Sequence, residues 1–120
     1  MSLSIETRRS GHIVILELAG RVSVLEPRLK AFAEDLIMRG DRYFIINLAN
    51  VSYLDNFGLG QLCWLYTVSR NRGGDMKLLK PTTRIRTLLS ITKLNTVLQS
   101  FDFEADAVAS MPLITSSVSV

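Results

Sequence analysis

The chain has few residues from which chemistry could start. It holds one cysteine, Cys63, and one histidine, His12. No histidine is placed beside a serine or cysteine as a nucleophile's base would be. No Gly-x-x-x-x-Gly-Lys-Ser/Thr loop occurs, and no Gly-x-Gly-x-x-Gly follows a strand. Gly58-Leu59-Gly60 is too short for a nucleotide cradle and reads better as helix packing. Asp55 stands alone in its turn. A phosphoaspartate there would need a divalent metal and further carboxylates, yet the loop Ala19-Gly20-Arg21 offers no acid. His12 lacks partners for a metal and reads as a surface strand residue. Cys63 lies on an apolar stripe and reads as a small core residue. These residues give no catalytic, cofactor or metal site, and the chain is read as a non-enzyme.

What remains is a helix start. Asp55-Asn56-Phe57-Gly58 follow an apolar run and precede an apolar helix. Such a start presents unbonded N–H groups and a partial positive charge. It suits an anion, a phosphoserine or a partner's carboxylate. Asp55 or Asn56 would serve as N-cap. None of Asp55, Asn56 and Phe57 carries a hydroxyl.

The elements that position this tip are read from spacing. Tyr43–Leu48 is an apolar, β-branched and aromatic run that suits a buried strand. A turn through Ser52–Gly60 follows. Leu59, Leu62, Cys63 and Tyr66 fall at i, i+3, i+4 and i+7, with Leu65 and Val68 widening the stripe. That helix is expected to be covered on most sides, with Trp64 and Tyr66 in the core, and Gly73-Gly74 ends it. Gly58 and Gly60 are both read as points of close backbone approach.

Upstream, Leu3–Ile5 and Ile13–Leu18 read as a hairpin about Ser10-Gly11. Gly20-Arg21-Val22 is a turn, and Leu25–Arg39 a helix with Pro27 in its first turn and Gly40 past its end. Downstream, Met76–Leu79 is a strand ended by Lys80-Pro81. Thr82 or Thr83 caps a helix that turns Ile85, Leu88, Leu89 and Thr92 inward. Val97–Phe101 is a last strand, and a final helix runs to Ser110. Strands alternating with helices after an opening hairpin give an α/β fold with a mixed sheet and about four helices. Residues 1–110 form one domain, and 111–120 are expected to be a poorly ordered tail.

Bulk properties narrow the class. Hydrophobic residues make up 48% and charged ones 21%, as in a globular domain with a real core. The net charge of +3 is spread over scattered Lys and Arg. No basic stripe marks a nucleic-acid surface. The start, Met1–Glu6, lacks the pattern of a signal peptide, and no run reaches membrane-spanning length. A cytoplasmic protein without membrane insertion is expected.

Leu48 to Leu62, with Ser52-Tyr53-Leu54-Asp55-Asn56-Phe57-Gly58-Leu59-Gly60 at its centre, resembles the signature of the STAS domain. This is the fold of bacterial anti-sigma factor antagonists. The family pattern is an apolar strand, Asp-Ser-Ser-Gly or Asp-Ser-Thr-Gly, then Leu-Gly and an apolar helix. Gly20-Arg21-Val22 is similar to the family's Gly-x-Leu turn. Arg72-Gly73-Gly74-Asp75-Met76 is similar to its Gly-Gly turn into a strand, and Thr83 to Leu94 to a later helix.

The resemblance implies a partner switch. An unphosphorylated antagonist binds an anti-sigma factor that is also a serine kinase of the GHKL ATPase type. Phosphorylation of a hydroxyl before the motif glycine separates the pair, and a phosphatase resets it. Here Asn56 and Phe57 occupy both hydroxyl positions, so neither accepts phosphate. Ser23 stands where many antagonists carry Asp, whereas Asp55 and Gly58 match. The implied docking surface covers Ser23, Asp55, Asn56, Phe57, Gly58 and Leu59. Phe57 is either an exposed anchor or a residue folded over the sheet end. An alternative role is as a STAS subunit of a larger assembly, such as a lipid or anion transporter or a stress-signalling complex. Self-association as a homodimer stays open.

Overall fold

The computed structural model describes residues 3–23 and 28–112. Its strands are β1 (Ser4–Ser10), β2 (Ile13–Val22), β3 (Tyr43–Leu54), β4 (Asp75–Leu79) and β5 (Ser100–Phe101). Its helices are α1 (Arg28–Met38), α2 (Asn56–Asn71), α3 (Thr83–Ile91) and α4 (Glu104–Ala109), with a short 3₁₀ turn at Leu94–Thr96. The strands lie in the order β1-β2-β3-β4-β5. β1 pairs antiparallel with β2, and the remaining pairs are parallel. The expected mixed sheet, opening hairpin and four helices are all present.

Side-chain alternation divides the core. Val14, Leu16 and Leu18 of β2, with Phe44, Ile46 and Leu48 of β3, turn to one face. There they meet Leu29, Ala33 and Ile37 of α1, Leu59, Leu62 and Leu65 of α2, and Ile85 and Leu89 of α3. Ile13, Ile15, Tyr43, Ile45 and Leu79 turn to the other face and pack on Ala107 and Met111, at and beyond α4. Each large apolar side chain removed from water contributes roughly 1.5–3 kcal/mol. Residues 113–120 of the expected tail, and residues 25–27 at the start of the expected first helix with Pro27, lie outside the described residues.

The strands differ from the sequence reading chiefly in length. β2 runs on through Gly20-Arg21-Val22, and β3 through Leu54, where turns were expected. Between Glu17↔Asn47 and Val22↔Leu54 the register slips twice, so β3 carries extra residues against β2. Such bulges bend a strand and raise its twist without ending it. β1 likewise reaches Ser10, and β5 is only Ser100–Phe101, since Val97 and Leu98 still bond back to Leu94 O after the 3₁₀ turn. His12 sits in the β1–β2 turn, edge-on to the Tyr43 ring at 4.9 Å, so it is half-buried and not a surface strand residue.

α2 closes with a Schellman pattern. Gly74 N–H donates to Ser69 O at 2.7 Å and Gly73 N–H to Arg70 O at 3.0 Å. Gly73 supplies φ +81°, and a Cβ on Gly74 would lie 1.7 Å from Arg42 O. Thr82 caps α3, its hydroxyl accepting from Ile85 N at 3.3 Å. Leu88 is half-buried and Thr92 exposed, so the inward face of α3 is narrower than expected.

A polar network ties α4 to the hairpin on the second face. Arg8 donates from Nε to Glu17 at 2.7 Å and grips Glu104 with both terminal guanidinium nitrogens, while Asn47 donates to Glu17 at 2.6 Å. The hydrogen bond from Arg8 holds the Glu104 carboxyl below its ordinary range. A lowered folded-state pKa contributes stability above the unfolded value, and that contribution is lost as pH falls through the folded pKa. The pair is partly exposed and screened, so it should contribute less than about 1 kcal/mol. Glu104→Gln should therefore lower the urea midpoint slightly at pH 7, with the gap to wild type shrinking as the pH falls through the carboxyl range. A gap that stays constant with pH would rule the ion pair out as its source.

Candidate functional site

The tip of α2 is built from three contacts. Asp55 sits in extended backbone (φ −99°, ψ −176°) and is the N-cap; its Oδ1 accepts from Gly58 N at 2.8 Å. Its own carbonyl takes the first helical bond, from Leu59 N at 2.8 Å, and its N–H reaches Val22 O at 3.4 Å. A side-chain cap of this kind contributes ~1 kcal/mol. It settles the choice between Asp55 and Asn56. The amides of Asn56 and Phe57, at the first two helical positions, keep no intrahelical acceptor.

The third contact is Gly58 against the end of β2. A Cβ built on Gly58 would lie 2.0 Å from Val22 O and 2.8 Å from Leu54 Cδ1. Only a bare Cα lets the helix start press so close to that backbone. Gly60 has nothing within 4 Å of its Cβ position, so the close-approach role expected of both glycines belongs to Gly58 alone.

Burial then sorts the residues expected at the docking surface. Leu59 is 4% exposed and part of the main core, and Ser23 is 5% exposed. Gly58 is buried as well. The Ser23 carbonyl accepts from Gln61 Nε2 at 3.3 Å, which fixes the end of β2 to α2. These three lie beneath the exposed residues of the tip, whereas the sequence reading placed all six at the surface. Asp55 is half-exposed, Asn56 is exposed, and Phe57 is 63% exposed. Phe57 therefore does not fold over the sheet end.

The helix behind the tip is buried less than its pattern implied. Leu59, Leu62, Leu65 and Ser69 form the inward line, whereas Cys63, Trp64 and Tyr66 are only half-buried. Trp64 lies under the Lys30 ammonium, 5.3 Å from its ring centre. Burial pushes the Cys63 thiol up from its ordinary value, away from the thiolate a nucleophile would need. Among the described residues no three His, Cys, Asp or Glu side chains gather as a metal site would require.

A groove of about 500 Å³ lies beside the tip, between the last residues of β3 and α3. Tyr53, Leu54, Leu88 and Ile91 line it. Sequence reasoning missed it because Ser52-Tyr53-Leu54 reads as turn; nothing local says that β3 continues past the end of β4.

Comparison with known proteins decides the family. The STAS domain model matches residues 4–107. The chain belongs to the STAS domain family. Among relatives of this STAS domain is the anti-sigma-B factor antagonist of Staphylococcus aureus, 30% identical over 95 residues, covering 78% of this chain and 88% of the relative. The anti-sigma F factor antagonist of Paenibacillus polymyxa is 21% identical over 117 residues, covering 96% of this chain and all of the relative. Solved structures share the fold. An anti-sigma factor antagonist from Mycobacterium paratuberculosis superposes with a TM-score of 0.81 at 16% identity, covering 91% of this chain and 93% of its own. The phosphorylated form of the Bacillus cell fate determinant SpoIIAA gives 0.70 at 18% identity, over 89% and 98%. No described helix of this STAS domain is long and apolar enough to cross a membrane.

The geometry predicts opposite results at two glycines only two residues apart. Gly58→Ala should lower stability by ~2 kcal/mol or more, because the methyl must displace the Val22 carbonyl. Gly60→Ala should raise it by up to ~1 kcal/mol, since alanine is the better helix former and the space is open. Chemical denaturation of the two variants checks this; equal effects would refute the assigned contact.

Proposed function

We propose that this STAS domain acts as an anti-sigma factor antagonist whose docking tip escapes phosphorylation. The observation that carries the reading is the 63% exposed Phe57 at the start of α2, beside an equally hydroxyl-free Asn56. The relatives are named antagonists of anti-sigma factors, and one structural neighbour exists in a phosphorylated form. The partner is an anti-sigma factor or a related GHKL-type kinase.

The physical argument has two parts. An aromatic ring held on a capped helix end loses little conformational freedom on binding and buries a large apolar area. A phosphate at that place would add nearly two negative charges to the contact and break it. With amide and phenyl groups in both hydroxyl positions, no phosphate can be attached there. Engagement is then set by the partner's concentration and affinity and not by a kinase acting on this tip. Asp55 serves as cap, and Ser23, Gly58 and Leu59 as the support beneath.

The test uses the anti-sigma factors encoded in the same genome. Wild type should bind one of them in calorimetry, and Phe57→Asp should weaken that binding by about 100-fold or more, as loss of a hot spot does. Phe57→Ser should change stability by less than ~0.5 kcal/mol, as expected for an exposed position. Incubation with the kinase and ATP should leave the mass of the intact chain unchanged. Equal binding by wild type and Phe57→Asp, or a phosphate on this loop, would overturn the reading.

A further inference from the structure

The unequal lengths of two neighbouring strands leave a second feature next to the tip. β3 and β4 pair only from Tyr43↔Asp75 to Asn47↔Leu79. β3 then continues to Leu54, paired on its β2 side alone. After Leu79 the chain turns away through Lys80, in the left-handed region at φ 52°, and Pro81 into α3. Among the described residues no strand lies along the outer edge of Leu48–Leu54. An open strand edge offers a row of backbone donors and acceptors to an added strand.

The groove runs along this edge. Its walls are Val51, Tyr53 and Leu54 from β3 and Ile85, Leu88 and Ile91 from α3. No carboxylate lines it, while Arg84 does. Arg84 is exposed and has no carboxylate partner among the described residues. Arg21 lies over the Tyr53 ring at 4.0 Å and is likewise without one. Ile91, at 73% exposure, leaves apolar surface open. We propose that this groove takes an extended, mainly apolar peptide segment bearing a carboxylate, which adds as a strand along the free edge of β3. Main-chain bonds to the edge would give affinity, alternate side chains would enter the apolar groove, and Arg84 would meet the acid. The site is separate from the Phe57 contact and does not depend on the antagonist reading.

A pool of blocked octapeptides, randomised at every position, can be enriched over the immobilised chain. The enriched sequences should alternate apolar residues and include an acid. They should shift the amide resonances of Val51–Leu54 and of α3. Binding should fall by about tenfold or more with Arg84→Glu and with Ile91→Asp, since charge reversal and loss of apolar contact oppose the recognition directly. Both positions are exposed, so these variants should melt as wild type does, while the charge-neutral Phe57→Ser should bind the peptides unchanged. N-methylation of alternate peptide amides should abolish binding. The proposal is overturned if no sequence enriches, if the enriched peptides shift other residues, or if N-methylated peptides bind equally well. It is also overturned if decanoate, an apolar acid without a peptide backbone, shifts the groove amides while no peptide does.

Discussion

The molecule turns on one close approach, that of the α2 start to the end of β2. The Val22 carbonyl occupies the space where any side chain at residue 58 would begin. With glycine there, the helix enters hard against the sheet, Leu59 drops into the core, and Gln61 reaches the Ser23 carbonyl. The Asp55 cap then fixes the entry angle. Everything one residue earlier is pushed outward. Phe57 is exposed while the Asp55 cap before it and Gly58 after it are anchored, so the tip is not loose.

Much of this was legible in the sequence. The division into strands and helices follows from periods of two and 3.6, and the Gly73-Gly74 stop and threonine cap were readable from residue type. The family resemblance rested on Asp55, Gly58 and the flanking apolar runs, and the family match bears it out. Strand lengths were not legible. Gly20-Arg21-Val22 and Ser52-Tyr53-Leu54 carry turn-forming residues, but the two bulged strands support each other through them, and pairing overrides local preference. The status of Cys63, Trp64 and Tyr66 was misread for a related reason. An apolar stripe shows which residues can be buried, whereas the covering neighbours decide which are.

The site was legible in part. The helix start and its missing hydroxyls could be read directly. Its depth could not: Gly58 and Leu59 belong to the same short motif as Phe57 yet lie beneath the surface, as does Ser23 at the end of β2. Neighbours in sequence at a helix start point in different directions, so a motif of adjacent residues divides into support and contact. If hydroxyls stand at these two positions in the relatives, as the resemblance implies, asparagine and phenylalanine leave the support intact and change only what faces outward. On the proposed reading, the architecture of a switch is retained while its control is removed.

The most direct test is cross-saturation NMR of the isotope-labelled chain in complex with the anti-sigma factor proposed as its partner. The account predicts that saturation passes first to Asn56 and to the Phe57 ring, with Leu59 and Ser23 unaffected. A complex in which Phe57 stays as solvent-exposed as in the free chain, with transfer centred elsewhere, would contradict it.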